Sequence, residues 1–278
     1  MAISVIIPVY NCAEWLSGCL DSVLQFDIVA EVIVIDDGST DASSDIIKSY
    51  ERDDGRIQAY THDQRANLGR SVSRNLGIKK ATQDWIAFLD ADDYYLPNRF
   101  DGIELGTNAD GYYGVIRTNY EHSIGNRYFP QKQTGIMSRV APNELYTFLT
   151  NRSDQYFSLI SFLVKKSAIE TVGGFDESLE VGEDTDLIWR LAATFRLKPI
   201  FGYDPIAVRR IHENNSHHQL INKAAFYKKW IDSPPHPVSY KTKKRLISTY
   251  LDYSIAHRKR SWLQKKILTY WWLLLKTF

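Results

Sequence analysis

The sequence predicts an α/β fold, a doubly wound and mostly parallel sheet flanked by helices, followed by a C-terminal helical appendage. Three observations carry that expectation. Short runs rich in branched and aromatic residues recur through the N-terminal third, as strands buried on both faces require. Each run ends in polar turn residues. Stretches of helical period separate one run from the next, which is how parallel strands joined by crossover helices read.

The first run, Ile3-Ser4-Val5-Ile6-Ile7-Pro8-Val9-Tyr10-Asn11, is a buried strand ending in turn chemistry. Residues 14–26 then place Trp15, Leu16, Cys19, Leu20, Val23 and Leu24 at helical spacing. Val32-Ile33-Val34-Ile35 is the next strand and stops at Asp36-Asp37-Gly38-Ser39-Thr40-Asp41. There Gly38 permits a tight turn, and Ser39, Thr40 or Asp41 caps a helix running to about Tyr50. A strand over residues 57–61, a helix over 71–81 and the strand Trp85-Ile86-Ala87-Phe88-Leu89 complete the alternation. Downstream the pattern weakens: 110–120 alternates as a strand would, 143–149 is helical and 157–164 is strand-like.

The last N-terminal strand runs into Asp90, Asp92 and Asp93. Ligands of open α/β sheets bind at the carboxyl ends of the strands, so these carboxylates stand where a ligand belongs. Asp90 and Asp92 can present oxygens to a common point. Hard oxygens suit Mg²⁺ or Mn²⁺, and Mg²⁺ binds through one or two carboxylates plus substrate phosphates. An Asp-rich surface turn accounts for the same residues without a ligand. The chain holds neither GxxxxGK[ST] nor GxGxxG, which argues against a P-loop NTPase and a dinucleotide-binding dehydrogenase. A diphosphate bound here therefore needs a metal ion to neutralise it.

The segments SVIIPVYN, VIVIDDGSTD, NLGRSVSRNLGIKKA, WIAFLDADD and GGFDESLEVGEDTDLIWRLA occur in the order and spacing of glycosyltransferase family 2, which the chain resembles over roughly residues 2–215. The resemblance implies the GT-A fold, with a nucleotide-sugar half at 1–100 and an acceptor half at 101–222. It also implies a nucleotide-diphosphate sugar as donor, most often a UDP-sugar, and inversion at the anomeric carbon. The reaction so implied is hexosyl or N-acetylhexosaminyl transfer to a hydroxyl of a glycan or lipid-linked glycan, in surface polysaccharide synthesis.

Position by position, Pro8, Tyr10 and Asn11 fall where the family's donor base and ribose sit, with Tyr10 able to stack on the base. Asp37 matches the carboxylate that accepts a hydrogen bond from uracil, and Asn67, Gly69 and Arg74 fall beside the nucleotide and diphosphate. Asp90, Ala91 and Asp92 match the DxD pattern, Asp90 nearer the ribose and Asp92 as direct metal ligand, with His212 completing the metal site. In Glu183-Asp184 the expected general base is Asp184, while Asp176 and Glu183 fall on the acceptor side. A sugar hydroxyl is a poor nucleophile, so a carboxylate must take its proton as attack proceeds. Acidic residues also favour the first turn of a helix merely for capping, so the local sequence alone leaves Asp184 open. Lone histidines are more often surface or packing residues, the reading given to His217 and His218. Tyr112, Tyr113, Tyr128, Tyr156 and Phe157 form either an acceptor platform or packing.

Two other functions compete. A sugar nucleotidyltransferase needs a Gly-rich basic loop after its first strand, which Tyr10-Asn11-Cys12-Ala13-Glu14 does not offer. A catalytically inactive, membrane-associated scaffold would not need Asp90, Asp92 and Asp184.

The 278 residues suit one large α/β domain plus an appendage, divided at 1–222 and 223–278. Cys12 and Cys19 lie on the first helix and read as reduced thiols, and residues 1–9 read as a strand and not a signal peptide, so a cytoplasmic enzyme is expected. Residues 223–278 carry thirteen Lys and Arg against two acids, Asp232 and Asp252. Basic residues interleaved with Trp262, Tyr270, Trp271 and Trp272 describe a segment, 240–278, lying on the anionic inner face of the cell membrane. Residues 267–275 are far short of the roughly 20 needed to span it. The competing readings are packing of a helix pair on the catalytic domain, and nucleic-acid binding, which the acidic body disfavours.

Overall fold

The computed structural model describes residues 2–103, 108–120, 132–152, 155–200, 202–212 and 223–255. His217, His218, Tyr128 and residues 256–278 of the basic tail lie outside them.

The N-terminal alternation is β1 (Ile3–Val9), α1 (Ala13–Leu24), β2 (Val29–Asp36), α2 (Ser43–Asp53), β3 (Ile57–Thr61), α3 (Arg70–Lys80) and β4 (Trp85–Phe88). The chain continues through β5 (Tyr94–Tyr95), β6 (Gly111–Tyr113), β7 (Val115–Tyr120), β8 (Lys132–Thr134) and α4 (Leu145–Asn151). It closes with β9 (Phe162–Lys165), α5 (Lys166–Thr171), α6 (Glu183–Thr194), β10 (Leu197–Pro199), β11 (Pro205–Ile211), α7 (Lys223–Asp232) and α8 (Tyr240–Ile255).

Seven strands form the main sheet in the order β10-β6-β9-β4-β1-β2-β3. The block β4-β1-β2-β3 is parallel, and β9 runs antiparallel to both its neighbours. Successive residues of a strand point to opposite faces, so each central strand feeds two cores. Ile3, Val5 and Ile7 of β1 pack with Val32 and Val34 of β2 and with Leu16, Leu20 and Ile47 from α1 and α2. Ile6, Ile33, Ile35, Ile86 and Phe88 face the other way, against α3 to α8. That double burial is why these strands read as nearly continuous apolar runs.

α3 lies so close on β1 that a Cβ at Gly77 would stand 2.4 Å from Ile6 Cγ2. This approach sets α3, and with it Arg74, against the edge of the sheet where ligands bind. A second sheet, β5-β11-β7-β8, stands beyond it and carries β11 past the acidic turn after β4.

Three sequence expectations shift. Residues 110–120 are two strands in two different sheets, divided at Gly114, where a Cβ would meet Ile206 Cδ1 at 2.5 Å. Of 157–164, only the end is strand, because Leu159–Ser161 forms a single 3₁₀ turn closed by Ser158. The N-cap position of α2 is Ala42, with no side-chain cap, and Asp41 just before it accepts the Ser43 N–H on Oδ1 and the Ala13 N–H of α1 on Oδ2. One carboxylate thus ties the starts of both helices beside the first two strand ends.

The basic C-terminal region also behaves differently from a free amphipathic tail where it is described. Trp230 is fully buried and donates its indole N–H to Asp186 Oδ1 at 2.9 Å. Lys229 reaches Asp176 and Asp186 at 2.7 and 2.8 Å, and Leu246 and Ile247 of α8 join the core. One face of α7 and one of α8 therefore pack on the body, while Tyr240, Lys241 and Lys244 stay exposed. Trp230→Ala should cost about 3–5 kcal/mol in chemical denaturation, since it leaves a large cavity in the core, while Asp186 keeps Lys229 and Arg190 as partners. A loss below about 1 kcal/mol would show that α7 contributes little to the core.

Candidate active site

The carboxyl ends of β1, β2 and β4 open into a cleft of about 560 Å³. All the residues expected at a donor or its metal line it: Pro8, Tyr10, Asn11, Asp37, Asn67, Gly69, Arg74, Asp90, Ala91, Asp92 and His212. Local structure explains their positions. Asn11 takes a positive φ of 47° and its Oδ1 accepts the Thr40 N–H, which locks the loop after β1 to the loop after β2. Tyr10 at that turn is 50 % exposed. Asp37 is buried, and its two oxygens accept the N–H groups of Leu68 and Gly69 at 2.7 and 2.9 Å. It thereby shapes the entry to α3 as well as lining the cleft.

Arg74 is the electrostatic centre of the cleft wall. It is buried, donates to Asp90 Oδ1 at 2.6 Å and to Glu183 Oε1 at 3.0 Å, and leaves its Nε without an acceptor. Arg70, one helical turn earlier, reaches the same Glu183 oxygen at 3.0 Å. Burial alone would raise the Asp90 carboxyl, but the Arg74 guanidinium more than offsets it and holds the group below the usual range. Burial pushes Asp92 up, and the neighbouring Asp90 charge adds to the rise. Asp93 is raised further by burial and by both neighbours, while its Oδ1 accepts the Arg210 N–H from β11.

The second sheet brings His212 to this turn. Its Nε2 lies 3.1 Å from Asp92 Oδ2, and its ring stacks on Trp15 of α1 at 5.5 Å. Arg210 covers the other elements of this corner, lying over Trp15 and Tyr94 and donating to the Asp92 carbonyl. An oxygen and a nitrogen donor so placed, beside two further carboxylates, fit a divalent cation. Among the described residues no three His, Cys, Asp or Glu side chains are grouped as a complete ligand set. The chain's part would be Asp92 and His212, with ligand oxygens supplying the rest.

Next to the donor cleft lies a second, smaller cleft of about 300 Å³, lined by Asp184 and sharing Arg70 and Arg209 with the first. Gly182, with φ 89°, turns the chain into α6 directly against Phe226, leaving only 3.0 Å for a Cβ. Asp184 then sits in the first turn, its Oδ1 accepting the Thr185 N–H at 2.7 Å. Its Oδ2 has no hydrogen-bond partner among the described residues.

A profile of the family described as Glycosyl transferase family 2 matches residues 4–173. The chain belongs to glycosyltransferase family 2. This family member is 39% identical over 187 residues to the uncharacterized glycosyltransferase EpsJ of Bacillus subtilis, a match covering 66% of this chain and 54% of that relative. It spans less than two-thirds of the length of the curated relatives it matches. Two solved structures share the GT-A fold. S. aureus TarS 1-349 in complex with UDP-GlcNAc superposes with a TM-score of 0.61 at 18% identity, covering 92% of this chain and 73% of that one. The mannosyltransferase PcManGT of Pyrobaculum calidifontis, in complex with GDP-Man and Mn²⁺, gives 0.61 at 17% identity over 99% and 80%.

The two residues expected on the acceptor side are placed differently from Asp184. Glu183 lines the second cleft but is 3 % exposed and turned onto Arg70 and Arg74, whose counter-charge it is. Asp176 lines neither cleft, being held by Lys229 and Ser178, which keep its carboxyl at about 2 despite partial burial. Of the aromatic platform candidates, Tyr112 and Tyr113 are core residues, Phe157 is buried on Tyr113, and Tyr156 is 48 % exposed in the second cleft. Sequence reading passed over Trp15, Arg70 and Arg209. Trp15 looked like one more apolar position of α1, and a lone arginine carries no pattern.

Proposed function

We propose that the chain transfers a sugar from a nucleotide-diphosphate sugar, with UDP as the carrier, to a hydroxyl of a glycan or lipid-linked glycan, inverting the anomeric carbon. The observation that carries this reading is the pair of adjoining clefts. One holds the Asp37, Asp90, Asp92 and His212 set at the strand ends, the other holds Asp184, and Arg70 and Arg209 line both. A reaction between two bound molecules needs this arrangement, with the acid-rich donor side and the base meeting at one boundary.

Tyr10 and Asp37 would hold the nucleobase, the first by its exposed ring and the second by its buried carboxylate. A divalent cation bound at Asp92 and His212 would neutralise the diphosphate as negative charge develops on it. Arg74 keeps Asp90 ionised and fixed. Arg209 makes no hydrogen bond or ion pair among the described residues, and its charge, raised in proton affinity by Asp93, Asp90 and Asp184 against the effect of burial, is placed to steady the leaving group. Asp184 takes the proton of the attacking hydroxyl.

The test is calorimetric titration of UDP, GDP, TDP and CDP into the whole protein, with Mn²⁺ and with EDTA. Metal-dependent selection of UDP is expected, and Asp37→Ala should weaken it and relax the choice of base. Binding of none of the four by folded protein would remove the donor cleft from the proposal.

For membrane attachment the expected carrier is 256–278, because no helix among the described residues is long and apolar enough to cross a membrane and one face of α8, through Leu246 and Ile247, is packed on the core. Removing 256–278 should abolish sedimentation with anionic liposomes while leaving nucleotide binding intact. Unchanged sedimentation would refute attachment through the tail.

A further inference from the structure

A buried histidine, His62, takes no part in the chemistry of either cleft. It follows β3 directly and is 8 % exposed. Its Nε2 lies 2.8 Å from Ser73 Oγ and 3.4 Å from Asp37 Oδ1. Three segments therefore converge on one ring nitrogen: Asp37 after β2, His62 after β3 and Ser73 in α3. Asp37 and Ser73 are buried as well, so these polar groups answer to one another and not to bulk water.

A carboxylate only accepts, so the contact with Asp37 is attractive when Nε2 carries its hydrogen, in the neutral Nε2–H tautomer as in the cation. Among the described residues Asp37 makes no ion pair with Lys or Arg. Two backbone N–H groups and His62 are what set how it is turned. Oδ1 faces two donors, the Leu68 N–H and the His62 ring, whereas Oδ2 accepts from Gly69. A carboxylate oxygen has room for two donors, so Oδ2 keeps a place for one more, and Asp37 lines the donor cleft.

Uracil carries a hydrogen on ring N3, and cytosine has a bare lone pair at the same position. An oxygen held in place takes the first and repels the second, because a buried polar group rejects a ligand that leaves it unpaired. His62 itself is not part of the cleft lining, so it reaches the nucleotide through Asp37 and not by touching it.

We infer that His62 is a positioning residue for base choice: it keeps Asp37 turned so that Oδ2 meets the ring N–H of uracil and refuses cytosine. This rests on the reading of Asp37 as a nucleobase contact given above.

The experiment titrates UDP and CDP, with Mn²⁺, into the whole protein and four variants. These are His62→Leu, His62→Gln, Asp37→Ala and the double variant carrying both Asp37→Ala and His62→Leu. His62→Leu should weaken UDP about tenfold and CDP less, the scale of a disturbed hydrogen bond to a charged group. His62→Gln, which places an amide N–H near the same point, should lose less. In the Asp37→Ala background His62→Leu should change neither affinity, since no carboxylate is left to turn. A merely structural role would weaken both nucleotides alike, with or without Asp37, and that result would overturn the inference. So would an unchanged preference for UDP in folded His62→Leu. If His62→Leu fails to fold, His62→Asn, polar but too short to reach Asp37, decides by the same criterion. A parent that binds no nucleotide, or Asp37→Ala that keeps the base preference, would instead overturn the reading of Asp37, and the inference with it.

Discussion

Replacing Asp92 by alanine should remove the gain in nucleotide affinity that Mn²⁺ or Mg²⁺ confers. Asp92 Oδ2 lies 3.1 Å from His212 Nε2, and these are the oxygen and nitrogen that the described chain offers to a cation. Even partners one step outside a metal's coordination cost about 10–100-fold when lost, so a direct ligand should cost at least that. The structural cost should be small. Asp92 caps no helix, its side chain lies at the cleft and not in the core, and its carbonyl bond to Arg210 belongs to the backbone. The melting temperature in EDTA should therefore stay near the parent value. His212→Ala should give a weaker version of the same loss and also free the Trp15 face. Metal-dependent affinity that survives in Asp92→Ala would place the cation elsewhere, with Asp90 the next candidate.

The cleft at the strand ends was legible because parallel strands announce themselves. β1, β2 and β4 are buried on both faces, so their sequences are nearly continuous apolar runs, interrupted only by the paired Ser4 and Glu31, and each stops at the polar residues that line the cleft. Pairing across long separations was not legible. Glu183 meets Arg74 from 109 positions away, and nothing near either residue announces the contact. Residues 110–120 alternate as one strand does, yet Gly114 passes the chain from one sheet to another because Ile206 fills the space a side chain would need.

Charge composition misled for a related reason. A run of lysines and arginines looks the same whether solvated, facing lipid or turned inward. Lys229 sits between Asp176 and Asp186, and Arg245 donates to Thr150, so part of that basic excess is spent inside the protein. Trp230 ties α7 to α6 through Asp186. Phe226 of the same helix stands against Gly182, and Phe226 and Tyr227 line the second cleft with Asp184.

Asp184→Asn should lower turnover by about 10²-fold or more while leaving nucleotide affinity close to the parent value. The substitution is unusually clean here. Asp184 Oδ1 accepts the Thr185 N–H at 2.7 Å, and an asparagine carbonyl oxygen can accept the same bond, so the side chain should keep its place in the first turn of α6. What changes is Oδ2, which has no partner among the described residues and becomes an amide nitrogen unable to take a proton. The loss should fall on kcat with little change in the KM for the donor, because Asp184 lines the second cleft and not the donor cleft. A purely structural role would show instead as a lower melting temperature, since an N-terminal carboxylate favours its helix by about 0.3–1 kcal/mol. Turnover near the parent value would move the base away from Asp184. Glu183 is a poor heir, because its carboxylate is already committed to Arg70 and Arg74.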